Sequence, residues 1–234
     1  MNLWCSISQP NSGYLSVSTV YSLKMLLYAI TCRRLLPGSE QERQATLVAL
    51  ARDWVLGGVD YIQVREKDLP PADLLALTCQ IVAAVRREER QTRVMLNGPA
   101  AIALEAEADG VHLPGHAPPA AVEAARRLYR SGGREAVVSR ACHSADEVRA
   151  ARDASLIVFA PVFEKASEQN DSGKKTLPGL GLAALSEACR SAKPVPVLAL
   201  GGVTRENARA CVDAGAAGIA AIRLFLGEDW RQLR

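Results

Sequence analysis

The sequence predicts an α/β protein folded as a single (β/α)8 TIM barrel, and three observations predict it. Short runs rich in Val, Ile and Leu recur from Leu26 onward with little polar alternation, as parallel strands buried on both faces require. Amphipathic stretches of helical length separate these runs. A weak repeat also precedes alternate runs: Gly58-Val59-Asp60-Tyr61-Ile62, Ala108-Asp109-Gly110-Val111, Ala154-Ser155-Leu156-Ile157 and Ala216-Ala217-Gly218-Ile219. Eight strand–helix units in one chain point to a closed barrel. The competing open doubly wound sheet would carry a Gly-x-Gly-x-x-Gly turn after its first strand, and none is present.

The expected strands are Leu27–Thr31, Tyr61–Arg65, Val94–Asn97, Gly110–Leu113, Val137–Cys142, Leu156–Ala160, Val195–Leu200 and Gly218–Ile222. The expected helices include Glu40–Leu56, Pro71–Arg90, Ala117–Tyr129, Ala145–Ala151, Leu180–Ala192 and Arg205–Ala214. Ser144 before Asp146-Glu147, and Thr204 before Glu206, have the form of helix N-caps with acids in the first turn. Residues 1–24 carry six serines, one charge (Lys24) and no helical period, so they read as a poorly ordered extension to a barrel domain of 25–234. The polar stretch Glu164–Pro178 follows the sixth strand at the catalytic end of such a barrel, where a long loop can act as a lid.

At 234 residues, 49% hydrophobic and 23% charged, the composition is that of a globular protein. The longest apolar run, Met25–Ile30, is too short for a membrane span or a secretory signal, so the expectation is a cytoplasmic protein without a membrane partner. A net charge of +3 spread along the chain argues against a nucleic-acid partner, whose binders carry clustered basic faces. The densest cluster, Arg86-Arg87-Glu88-Glu89-Arg90, reads as a solvated helix end. Six cysteines without a CxxC give no zinc site. Cys79, Cys189 and Cys211 fall in helical patterns and read as small core residues. Barrel helices can pair between subunits, so a homo-oligomer is compatible with the sequence.

Gln63, Arg65 and Lys67 alternate around the end of the second strand, which aims all three the same way. Arg offers a forked donor and Lys a point charge, a pair suited to phosphate. The bland alternative is an exposed salt-bridge cluster with Glu66 and Asp68. Gly201-Gly202 end the seventh strand before a capped helix, where backbone amides can approach an anion. His143 ends the fifth strand and can carry a proton at the mouth. Its neighbour Cys142 faces the opposite side and forms no dyad with it. His112 reads as structural and His116, in a Pro-rich loop, as solvated.

Gln63-Val64-Arg65-Glu66-Lys67-Asp68, Asn97, Asp109-Gly110-Val111-His112-Leu113, Cys142-His143-Ser144, Pro161-Val162-Phe163 and Gly201-Gly202-Val203 follow one another along roughly residues 26–225. In order and spacing they resemble the thiamine phosphate synthase/TenI family. The resemblance implies a (β/α)8 fold and one of two activities. One branch joins a pyrimidine diphosphate to thiazole phosphate with magnesium. The other aromatises a thiazole carboxylate phosphate by moving a proton, without metal. It also implies that Gln63, Asn97, Lys165, Gly201, Gly202, Ile222 and Arg223 bind substrate while Arg65, Lys67 and His143 act in catalysis.

The departures from the family pattern shape the expectation. The synthase's magnesium ligands are an Asp after the third-strand Asn and an Asp shortly after the Gly-Val-His-Leu strand. Here those positions are Gly98 and about Ala117. The family's Thr-rich loop is replaced by Glu164-Lys165-Ala166-Ser167, its Ser two before the His is Ala141, and its Ser after the eighth strand is Arg223. The leading expectation is therefore a metal-independent, thiazole tautomerase-like isomerase acting on a small phosphorylated heterocycle, with no cofactor. The alternatives are a divergent synthase joining hydroxymethylpyrimidine diphosphate to thiazole phosphate, which brings magnesium back, and a non-catalytic thiamine-phosphate binder or regulator.

Overall fold

A computed structural model describes residues 24–166 and 176–233. The chain alternates β1 (Leu26–Ile30), α1 (Glu40–Leu56), β2 (Tyr61–Val64), α2 (Pro71–Arg86), β3 (Arg93–Leu96), α3 (Ala100–Glu105), β4 (Gly110–Leu113), α4 (Ala121–Ser131), β5 (Val137–Cys142), α5 (Ala145–Ala150) and β6 (Leu156–Phe159). A two-stranded antiparallel hairpin follows, β7 (Lys165–Ala166) and β8 (Thr176–Leu177). Then come α6 (Gly181–Ala192), β9 (Val197–Leu200), α7 (Arg205–Asp213) and β10 (Gly218–Ala221). Eight of the strands close into a parallel barrel in the order β1-β10-β9-β6-β5-β4-β3-β2.

Strand alternation sorts the apolar residues into two layers. Leu27, Ile62, Val94, Val111, Val138, Ile157, Val197 and Ile219 point outward into the shell under the helices. Tyr28, Ile30, Met95, Leu156, Val158, Leu198 and Ala220 fill the barrel interior. Cys142 lies in the outer layer, as expected of the neighbour of an inward-facing residue, and burial pushes its thiol up to about 12.

The weak repeat has a physical basis. Asp60, Asp109 and Ser155 each stand just before an even-numbered strand and accept the backbone amide of the strand before it. The Asp60 carboxylate takes Leu27 N at 2.8 Å, Asp109 takes Val94 N at 2.7 Å, and Ser155 Oγ takes Val138 N at 3.0 Å. Arg86 and Arg93 pair with Asp109 at 2.8 and 3.2 Å. Gly110 and Gly218 belong to the same motif because strands approach closely there: a Cβ would lie 1.7 Å from Val137 O and 2.0 Å from Leu26 O. All of this is at the N-terminal end of the barrel. A cavity of about 970 Å³ also opens at that end, beside Lys24, Asp60, Arg93 and Asp109. It is remote from the strand ends where catalysis resides in this fold.

Some expectations need correction. The second helix stops at Arg86 rather than Arg90, because the backbone turns left-handed at Glu89. The fourth begins at Ala121, after the Pro-rich turn, rather than at Ala117. No eighth α-helix is formed among the described residues. Two 3₁₀ segments, Arg223–Leu226 and Asp229–Leu233, close the barrel instead. They bury Phe225 and Trp230 against Trp54 of α1, whose indole N–H donates to Phe225 O at 2.8 Å. Cys79 is exposed, whereas Cys189 and Cys211 are buried as expected. The proposed extension falls outside the described residues except for Lys24. Among the described residues no helix is long and apolar enough to cross a membrane.

Candidate active site

Gln63, Arg65, Asn97, His143, Gly201, Gly202, Ile222 and Arg223 all stand at or just beyond the C-terminal ends of barrel strands, so the closed topology gathers them around one rim. The foundation of the β2 end lies in residues that the sequence did not single out. Thr31 Oγ1 accepts the Arg65 amide at 2.9 Å and donates to Glu66 Oε1 at 2.6 Å. Glu66, 3% exposed, also accepts the Arg33 amide and, at 3.0 Å, its Nη1. The Arg33 guanidinium forks onto both oxygens of Asp68 at 2.8 and 2.9 Å, while its Nε donates to Glu40 at 2.5 Å. These carboxylates hold its pKa well above the ordinary arginine value. Glu66 and Asp68 are thus engaged by Arg33. No local pattern announces Arg33's part in the site, because Glu66 and Asp68 lie more than thirty residues along the chain.

Gln63 is 1% exposed, and its Oε1 has no hydrogen-bond partner among the described residues. An unpaired acceptor on a buried amide is costly to fold. Arg65 follows it, half-buried, and Lys67 is exposed at the rim.

Two histidines reach this end in different states. His143 Nδ1 lies 2.7 Å from the carbonyl of Ala160. A carbonyl only accepts, so Nδ1 carries the proton and neutral His143 keeps its lone pair on Nε2. Its backbone amide donates to Glu147 Oε2 at 2.7 Å, and Ser144 caps the same helix through Glu147 N. Gly115 packs against the ring: a Cβ there would sit 3.4 Å from Nε2. Arg140, 7% exposed, holds that loop by donating to Ala117 O at 2.6 Å and to Gly115 O at 3.4 Å. The second histidine, His112, is buried with Nδ1 2.8 Å from Ser139 Oγ. Burial first, then the charges of Arg65 and Lys67, push its pKa down to about 4.

Gly201 and Gly202 have φ of +97° and +63°. A Cβ would strike Pro161 at 2.7 Å or Glu164 O at 2.5 Å, so the crossing of the β6 loop demands glycine there. Phe163 N donates to Gly201 O at 2.9 Å, and Asn207 braces the turn through Gly202 O at 3.0 Å. The amides of Gly201 and Gly202 donate to no described residue, which leaves them available to a ligand. Arg223 is exposed beside half-buried Ile222. The expectation for the Lys165 side chain lies outside the described part of the structure.

The residues do not fit a protein-built magnesium site. Asn97 is followed by Gly98, Ala117 offers only a carbonyl already taken by Arg140, and no group of three His, Cys, Asp or Glu converges among the described residues.

A closed barrel with polar and cationic side chains at the C-terminal rim and a filled interior below defines a (β/α)8-barrel enzyme. The sequence model described as thiamine monophosphate synthase matches residues 27–225. The chain is 38% identical over 182 residues to the thiamine-phosphate synthase of Anaeromyxobacter dehalogenans, covering 77% of this chain and 76% of that one. It is 38% identical over 192 residues to the enzyme of the same name from Methanoculleus marisnigri, covering 80% and 83%. The thiamine phosphate pyrophosphorylase structure from Pyrococcus furiosus superposes with a TM-score of 0.68 at 26% identity, over 90% of this chain and 92% of that one. The chain belongs to the thiamine monophosphate synthase family.

Proposed function

We propose that this enzyme joins a pyrimidine diphosphate to a thiazole phosphate, releasing diphosphate and forming thiamine phosphate. The observation that carries the reading is the buried, unpaired Gln63 Oε1 directly below Arg65. An acceptor that can take an N–H from a planar heterocycle stands next to a guanidinium that can take its diphosphate. The names of the relatives favour this activity over the tautomerase that the missing carboxylates suggested.

In the reaction, the bond between the pyrimidine's carbon and the diphosphate oxygen breaks, and the electron pair leaves with diphosphate. The thiazole ring nitrogen forms the new bond to that carbon. Arg65 and Lys67 stabilise the charge that grows on the leaving group, a contribution that is often the largest in catalysis. The Gly201 and Gly202 amides hold the phosphate of the second substrate.

The family's carboxylate positions are Gly98 and about Ala117 here, so on this reading Arg65 and Lys67 carry the leaving group's charge and turnover should survive chelation. The test supplies both substrates with excess EDTA or with magnesium and follows thiamine phosphate. Formation in both conditions is the expected result. Absence of product in both refutes the transferase. Product only with magnesium refutes the metal-free reading.

A tautomerase remains the second reading because the Ala160 carbonyl presets His143 with a free Nε2 lone pair, as a base needs. His143→Ala would then abolish proton exchange on a thiazole carboxylate phosphate while phosphate affinity stays within about threefold.

A further inference from the structure

We infer that His112 is a binding residue of this site, a neutral imidazole that presents Nε2–H to a phosphate oxygen in a tautomer fixed by Tyr28 and Ser139. The inference rests on the reading that the mouth takes a diphosphate.

The tautomer follows from a proton count. Tyr28 is fully buried in the barrel interior, and its hydroxyl lies 3.2 Å from Ser139 Oγ. Ser139, also fully buried, lies 2.8 Å from His112 Nδ1. These are the only partners of the two hydroxyls among the described residues. If Tyr28 donates to Ser139 and Ser139 donates to Nδ1, both buried O–H groups are satisfied and the ring proton sits on Nε2. Any arrangement with the proton on Nδ1 leaves one buried hydroxyl without an acceptor, at the full cost of its desolvation.

The position follows from strand register. Val111 belongs to the outer layer, so His112 faces the interior wall. Leu96 pairs with Val111 and His112 with Ser139, which sets His112 beside Asn97 at the rim. Nε2 bonds to no described residue, yet it is not among the sealed, unpartnered atoms of the core. Arg65 and Lys67 lie near enough for their charges to disfavour a protonated ring. An anion held by that pair meets a donor that adds no third positive charge. His143 and His112 thus offer complementary chemistry, one an acceptor and the other a donor.

Nitrogen-15 NMR of the imidazoles in the full-length wild-type protein tests this, with His112→Gln used for assignment and inorganic diphosphate as the probe. His112 is expected as the Nε2–H tautomer at pH 7, and its Nε2 resonance should move on saturation with diphosphate. Ser139→Ala, which deletes the donor to Nδ1, should let the Nδ1–H form appear, whereas Tyr28→Phe, which leaves the Ser139 hydroxyl with Nδ1 as its acceptor, should keep the Nε2–H form. His112→Ala should weaken diphosphate binding about tenfold, whereas His112→Gln, whose amide N–H reaches the same place, should stay within about threefold. An Nδ1–H tautomer in the wild type, or an Nε2 signal unmoved by diphosphate, overturns the inference even if thiamine phosphate is formed. A shifted Nε2–H signal in a protein that makes no thiamine phosphate upholds it and rejects the transferase reading instead.

Discussion

A buried acceptor without a partner imposes a penalty on the empty protein that a bound ligand can remove. Gln63 Oε1 is such an atom, so its removal has opposite effects on stability and on function. Gln63→Leu keeps the volume roughly and deletes the orphan, so the ligand-free protein should gain about 1 kcal/mol. Urea denaturation at constant slope reads this as a higher midpoint. The same variant should lose at least about tenfold in kcat/KM for the pyrimidine substrate, the worth of one buried hydrogen bond. A variant that is both less stable and fully active would show that Gln63 is a packing residue. Gln63 and Arg65 were legible in the sequence because two polar residues at alternate positions interrupt a strand that is otherwise apolar. Arg33, Thr31 and Arg140 were not, because their significance depends on partners brought close only by folding. Ser139 stood in plain view between Val138 and Arg140, but nothing local shows that Tyr28 and His112 flank it.

At the scale of elements, the strands could be placed to within a residue or two because burial on both faces leaves continuous apolar runs. The helices were less legible where their length was short. The six residues of α3, Ala100–Glu105, make under two turns, too few for a period to appear, and no side chain caps them. Equally short α5 is announced by its Ser144 cap and first-turn acids. After β10 the chain closes the barrel through Phe225 and Trp230, which two 3₁₀ segments bury without an α-helix. The repeat before alternate strands was visible but unexplained until the side chains showed it tying adjacent strands. Its members should therefore be worth stability and not activity. Asp109 accepts Val94 N and two guanidinium groups while 6% exposed, so Asp109→Ala strands a buried amide. The expected loss is about 2–3 kcal/mol by urea denaturation, with kcat unchanged at temperatures where the variant stays folded. A lowered kcat in fully folded Asp109→Ala protein would deny the separation of the two ends.

For the molecule as a whole, that separation puts its pH sensitivity at the catalytic end. His112 is the buried histidine, and its pKa falls to about 4, from burial first and from Arg65 and Lys67 after that. In the unfolded chain the same side chain takes up its proton near pH 6.5. Between these values the unfolded state binds more protons, so stability rises with pH across the window. The contribution is complete above about pH 6.5 and is lost as pH falls toward about 4, amounting to about 3 kcal/mol. Against a total of roughly 5–15 kcal/mol for a domain, that is enough to read directly in urea midpoints. Asp68, whose carboxyl Arg33 holds below its ordinary value, loses its contribution at lower pH, so the two effects are separated along the axis. The measurement is the difference between wild type and His112→Gln from pH 7 to pH 4. Gln cannot take up the proton, so the variant should lack this loss and its advantage over wild type should grow by about 3 kcal/mol on acidification. Parallel curves would mean that His112 protonates in the folded barrel as readily as in the open chain. The charges of Arg65 and Lys67 would then not reach it, and the rim would lack the electrostatic coupling on which a neutral donor beside two cations depends.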